Sequence, residues 1–372
     1  MVYKETSMKV EVLQEELIKH LSLALKAVAN RAQLPVLSHV LLEAQEQNLI
    51  LTSTDLELSV RIVCPAKVSE AGRVTAPAKM LAEYVGTLSP GKLTLEQAGE
   101  SLKVLSHGST AKFQTLSVDE FPSLPTIPAE ATIVEPDAKE FAQAIQSVSF
   151  ASAKDTLRPV LTGVLMELAP DTLKLVATDG FRLAIAGIKA SSASEQQTIL
   201  VPARAAFEVA RIFVEGKLAV GYLSQTHQVY FAQGDVLLLS QVLEGNFPDY
   251  NKILPKSHTG EVVVGREEFL QAIKTAHIFA RDNSNMMRWQ VAESELVIVA
   301  SSPEKGDCTL TVPIKLAGEG GEIVFNARYV LDYLSLLASQ EARFTMGGKL
   351  APGVFADPKH EENFYVVMPI NA

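Results

Sequence analysis

Three segments of the chain, VTAPAKMLAEYVGTL (74–88), ILVPARAAFEVARIF (199–213) and IVFNARYVLDYLSLL (323–337), share one grammar. Each passes from an apolar strand end through Pro or Asn, Ala, and Lys or Arg into an amphipathic helix. Pro77, Pro202 and Asn326 are 125 and 124 residues apart. A second set, EELIKHLSLALKAV (15–28), AKEFAQAIQSVSF (138–150) and REEFLQAIKTAHIF (266–279), runs in the same order, with Leu17, Phe141 and Phe269 as first core positions. Thr54-Asp55 and Thr178-Asp179 supply a third register, which the last copy lacks. A period of one third of the chain constrains the fold before any motif is considered. It predicts three similar α+β domains in a row, each reading helix, strands, helix, strands.

Local patterns agree. Leu17, Leu21, Ala24, Leu25 and Val28 recur at helical spacing. LSVRIVC (58–64) alternates Leu58, Val60, Ile62 and Cys64 inward against Ser59 and Arg61 outward, as a half-buried strand does. Gln47-Asn48 and Pro170-Asp171 sit where hairpin turns belong. The Pro-rich junctions EFPSLPTIP (120–128) and NFPDYNKILP (246–255) separate the copies, since Pro is excluded from helix interiors and central strands. The expected domains are 1–127, with residues 1–7 as an extension, 128–255 and 256–372.

Enzyme motifs are missing. No GxxxxGK[ST], HExxH, GxSxG or GxGxxG occurs, and GEGGE (318–322) and MGGK (346–349) are glycine turns. The seven histidines show no metal-ligand spacing, and His20 and His277 are expected as surface or groove residues. Two cysteines, Cys64 and Cys308, suit buried strand positions in a reducing cytoplasm. No apolar run is long enough to span a membrane. Asp55 and Asp179 recur in one structural slot, which favours a strand-end carboxylate accepting backbone N–H groups over a catalytic acid. An enzyme using Asp179 and Arg182 therefore ranks last. No cofactor or metal is expected.

The net charge of −10 weighs against tight nucleic-acid binding. Its distribution weighs the other way. Windows 17–42, 141–154 and 269–281 contain no Asp or Glu but carry Lys19, Lys26, Arg31, Lys154, Lys274 and Arg281. Lys79, Arg204 and Arg328 open the second helices, where the macrodipole favours an anion. Such faces tolerate a phosphate backbone through loose, salt-sensitive, sequence-blind contacts.

Three equivalent domains with helices facing one way form an arc, and two arcs meeting head to tail close a ring if the rotation permits. From Met8 to the C-terminus the chain resembles the bacterial DNA polymerase sliding-clamp family, the β subunits of the replicative polymerase. NRAQLPVLSHVLL, RPVLTGVL, ATDGFRLA, EGNFPDY, FNARYVLDYL and YVVMP carry the resemblance. It implies three tandem copies of the DNA-clamp fold, with helices lining a ring interior and sheets outside. It also implies a non-catalytic, cytoplasmic homodimer that encircles double-stranded DNA and confers processivity. Replicative polymerase, clamp loader and repair polymerases would dock short hydrophobic motifs in a groove between the second and third domains. Carried over by position, that groove takes Leu161, Thr178, Gly180, Phe181, Arg182, Leu183, Pro248, Lys252, Ile253, Val366, Met368, Pro369 and Ile370. Phe181 stands where His is common, Lys252 where Arg is common, and Asn371-Ala372 replace an Arg-Leu ending. The DNA-facing set is Arg31, Lys19, Lys26, Lys79, Lys154, Arg204, Lys274 and Arg281. Phe113, Ile278 and Phe279 match interface positions, whereas Thr115 is polar where Leu is frequent. The runner-up reading is a three-repeat adaptor that binds peptides and encircles nothing.

Overall fold

The computed structural model describes residues 8–29, 34–128, 132–192, 197–255, 257–358 and 360–371. Six helices fall where the repeat places them. First helices are α1 (Gln14–Ala24), α3 (Ala138–Ser149) and α5 (Arg266–Ala280); second helices are α2 (Ala78–Thr87), α4 (Ala203–Ile212) and α6 (Ala327–Leu336). Leu17, Phe141 and Phe269 are each fully buried, as expected of first core positions. The chain divides into two compact units: residues 1–138 with 211–242, and residues 139–210 with 243–372.

In unit 1, α1 and α2 pack together. A five-stranded sheet runs Lys67–Glu70, Lys9–Leu13, Lys92–Gln97, Ser101–Ser106, Ser109–Gln114. A second sheet begins with Gly72–Pro77, His39–Gln45, Asn48–Thr54 and Leu58–Pro65. It continues without a break into Val236–Gln241, Gln228–Gln233, Ala219–Leu223 and Thr132–Pro136. The continuation is backbone pairing between repeats, Ser59 opposite Leu239 and Arg61 opposite Leu237.

Unit 2 repeats the design. Gln197–Pro202, Gly163–Ala169, Thr172–Thr178 and Arg182–Ser192 pair in that order. Arg182–Ser192 then pairs with His360–Val367 of the third repeat, Leu183 opposite Val366. Each cross-repeat ladder lies within one unit, so the division between units passes through the middle repeat rather than between repeats.

The third repeat is built on Trp289, which is fully buried. Phe269, Phe325, Phe344 and Phe355 surround it edge-on, with ring centroids 4.9–6.1 Å away. Such T-shaped pairs add to the burial energy because the positive ring edge meets a negative face.

Differences from the sequence expectation are local. Ser59 is buried rather than outward because its hydroxyl meets Thr54 Oγ1 at 2.7 Å. The first hairpin turns at Glu46-Gln47, one residue early, with Glu46 at φ 54°. Cys64 is buried, and burial raises its thiol pKa to about 11, but Cys308 is only half-buried. His20 is not on the surface: it is buried, its Nδ1 2.6 Å from the Glu16 carbonyl.

The two Thr-Asp slots fold alike. Asp179 Oδ1 accepts from the backbone N–H of Phe181 (2.9 Å) and Arg182 (3.1 Å); Asp55 Oδ1 accepts from Glu57 (3.1 Å) and Leu58 (2.8 Å). Thr178 and Thr54 take the N–H of Gly180 and Leu56, each at 3.0 Å. The tight turn forces positive φ on the next residue, 93° at Gly180 and 77° at Leu56. Glycine adopts this freely; leucine does not.

The second slot also carries Arg182, which is 6 % exposed. Its guanidinium reaches Asp179 (3.0 Å), Asp332 on α6 (2.6 Å) and the Phe150 carbonyl (2.8 Å), under the ring of Tyr329 at 4.5 Å. Burial alone would lower its pKa, but Tyr365, Asp332 and Asp179 outweigh it and the pKa rises.

Leu56→Gly relieves the strained turn at a half-exposed position and is expected to raise unfolding stability by ~0.5–1 kcal/mol, read from the urea midpoint. Arg182→Ala leaves the Asp179 and Asp332 carboxylates without their cation and is expected to cost ~2–3 kcal/mol on the same measurement.

Candidate functional site

The residues expected to form the peptide groove all fall within unit 2, where Arg182–Ser192 meets the C-terminal strand. Leu183 and Val366 face each other across that ladder and are buried in an apolar cluster with Leu165, Val176, Ile185, Leu200 and Tyr250. Leu161 and Thr178 are buried too. These four make a floor rather than an exposed wall. Phe247, Leu254, Val354 and Phe364 pack half-buried against the cluster.

Above the floor, apolar groups meet solvent. Phe181 is 58 % exposed and Met368 37 % exposed. The backbone ties the two together, since the Met368 N–H donates to the Phe181 carbonyl at 2.9 Å. Pro369 and Ile370 are half-buried, and the Ile370 N–H donates to the Val324 carbonyl at 2.8 Å, fixing the tail. Pro248 is exposed and Ile253 half-buried. Lys252 is exposed and forms an ion pair with Asp249 at 3.3 Å, whose hydrogen bond holds the Asp249 carboxyl pKa below its usual range.

Arg182 is buried beneath this surface. Its guanidinium is held by Asp179, Asp332 and the Phe150 carbonyl. Sequence reasoning missed Arg158. Its Nη2 donates to the Asp179 carbonyl at 2.8 Å, and its Nη1 lies 2.8 Å from where a Cβ on Gly180 would stand. Glycine at 180 therefore permits both the turn and the overlying guanidinium. A signal was present, since Arg158-Pro-Val-Leu repeats Leu34-Pro-Val-Leu with a cation in place of leucine.

The basic residues are distributed over both units. Lys19 lies on α1, Lys26 on the following 3-10 turn and Lys79 in the first turn of α2, all in unit 1. Lys154, Arg204, Lys274 and Arg281 belong to unit 2 and are exposed. Lys19 and Lys79 are exposed and Lys26 half-buried. Arg31 lies outside the described residues. Carboxylates sit in the first turns of α1 and α5 as Glu15, Glu16, Glu267 and Glu268, where the helix dipole favours them.

Of the interface candidates, Ile278 is 55 % exposed and Phe279 half-buried on α5. Phe113 is only 3 % exposed, its ring meeting Tyr84 edge-on at 5.6 Å. What its strand, Ser109–Gln114, offers is a backbone edge that is unpaired among the described residues, at the end of the five-stranded sheet. In unit 2, among the described residues, the segment 306–313 of strand Gly306–Gly318 likewise pairs on one side only, with Glu295–Ser302. Among the described residues no group of His, Cys, Asp and Glu could hold a metal ion, and no helix is long and apolar enough to cross a membrane.

Comparison with known proteins matches three family models in sequence order. They are the DNA polymerase III beta subunit N-terminal domain over residues 8–125, its central domain over 135–249 and its C-terminal domain over 251–371. The beta sliding clamp of Pseudomonas aeruginosa is 31 % identical over 96 % of this chain and 98 % of its own. That of Synechococcus elongatus is 31 % identical over 98 % and 99 %. The crystal structure of the DNA polymerase III subunit beta from Pseudomonas aeruginosa superposes with a TM-score of 0.93 at 28 % identity, covering 98 % of this chain and all of that one. With the three clamp domains matched almost end to end, the chain belongs to the DNA polymerase III beta subunit family, the beta sliding clamps.

Proposed function

We propose that this chain is a non-catalytic cytoplasmic sliding clamp that closes head to tail with a second copy around duplex DNA. The domains are taken as 1–127, 128–255 and 256–372. The match of all three clamp domains across the chain carries the reading. Encirclement reconciles a net charge of −10 with DNA. A ring held by topology needs few phosphate contacts, and weak contacts let it slide. Lys19, Lys26, Arg31, Lys79, Lys154, Arg204, Lys274 and Arg281 are assigned to those contacts. The exposed edges at 109–114 and 306–313 are assigned to the dimer, with Ile278 and Phe279 as its apolar part, because unpaired strand edges join most readily to each other.

The apolar surface around Phe181 and Met368, over the buried Leu183–Val366 floor, is assigned as the docking groove for replicative polymerase, clamp loader and repair polymerases. Backbone ladders fix its shape, while half-exposed apolar rims supply the affinity, as in groove recognition of short peptides.

Loaded by its clamp loader onto nicked circular DNA, the protein is expected to co-elute with the circle on gel filtration and to be lost once the circle is linearised. Equal retention on both forms overturns encirclement. Phe181→Ala and Met368→Ala are each expected to weaken a partner peptide about fivefold, from ~1 kcal/mol of lost rim burial, with the thermal midpoint unchanged. Leu183→Ala, by contrast, is expected to lower stability by ~2–4 kcal/mol as well as weakening the peptide, because it removes a core side chain. Calorimetric titration and thermal melts on the three variants check this.

A further inference from the structure

Between the first and second repeats the strand registers coincide at an offset of 124. Leu41 faces Thr52, and Thr52 faces Arg61, as Leu165 faces Val176 and Val176 faces Ile185. Each row continues onto the next repeat's strand, Arg61 opposite Leu237 and Ile185 opposite Phe364. The two rows are covered to different degrees. In unit 2 the row is wholly apolar and the connecting segment covers it, with Phe247, Tyr250 and Leu254 packed down. Tyr250 is buried, and its hydroxyl donates to Glu167 Oε2 at 2.8 Å. Burial, then the bond to Glu167, raises the pKa of that hydroxyl, which keeps it a donor.

In unit 1 the row reads Leu41, Thr52, Arg61, Leu237; Leu41 and Thr52 are buried, with Phe121 packed against Leu41, and the connecting segment 122–127 and the row together line a hollow of about 620 Å³. The acceptor is nonetheless in place. Glu43 stands at the register of Glu167, with Arg73 Nε on its Oε1 at 2.8 Å. The tyrosine is what is missing: Phe121-Pro-Ser-Leu124 stands where the other segment reads Phe247-Pro-Asp-Tyr250.

We infer that this hollow is a docking site for a tyrosine presented by an extended segment of a partner protein, the phenol donating to Glu43 and the ring lying on Arg61. The equivalent strand registers of the next repeat already hold such a side chain, supplied by their own connection. A guanidinium is a favourable floor for an aromatic face. The volume falls within the range of sites that bury small ligands and side chains. The inference is independent of ring closure and of the Phe181 groove.

The probe is a blocked decapeptide with the sequence of residues 246–255, titrated calorimetrically into the intact protein beside the same peptide with phenylalanine in place of its tyrosine. The tyrosine peptide is expected to bind about fivefold more tightly, the worth of one hydroxyl hydrogen bond. Glu43→Gln is expected to abolish that preference. Leu124→Tyr, which lets the chain fill its own hollow, is expected to abolish binding, with a thermal melt confirming that the variant is folded. Phe181→Ala is expected to leave binding unchanged. No heat at millimolar peptide, equal affinity of the two peptides, or loss of binding in Phe181→Ala overturns the proposal. Should Leu124→Tyr fail to fold, the Glu43→Gln comparison decides alone.

Discussion

Backbone pairing between consecutive repeats is the constraint on which the rest of the chain depends. Leu58–Pro65 joins Val236–Gln241, and Arg182–Ser192 joins His360–Val367, so the first and second repeats each extend their sheet onto a strand of the next. A one-residue slip in either ladder would turn every side chain to the other face. The register is therefore pinned at its ends, by the Asp55 and Asp179 turns and, in unit 2, by the Arg182 network. The residues assigned to the groove inherit their positions from this pinning. Leu183 and Val366 come from segments nearly two hundred residues apart in sequence, and only the ladder brings them opposite each other.

Much of the fold was legible because a threefold repeat exposes itself in register. The helix starts after Pro77, Pro202 and Asn326 and the turn roles of Asp55 and Asp179 follow from local chemistry that one repeat confirms in another. The surroundings of Arg182 were not legible, for the opposite reason. Its position matches a groove residue, but its environment is set by Asp332 and Tyr329, which no local pattern links to it. The packing of Phe113 is similar, since its ring meets Tyr84, which no local pattern links to it. Arg158 was legible in principle, as a cation standing where the first repeat has Leu34. Its meaning required the left-handed turn at Gly180 that it covers.

Comparing the repeats with one another separates shared scaffold from individual use. Thr54 and Thr178 make the same bonds, yet Leu56 bears a strain that Gly180 avoids. The connecting segments differ more. One buries Tyr250 against its sheet; the other lines a hollow that reaches Glu43 and Arg61. Duplication supplied equivalent surfaces, and side-chain substitution gave them different solvation.

Trp289 is the sole tryptophan of the chain, and it lies wholly in unit 2 inside its shell of phenylalanines. Its intrinsic emission is thus a local thermometer. Fluorescence follows the melting of one unit, while circular dichroism averages both. Comparing the two transitions reveals whether the halves of this chain come apart together or in turn.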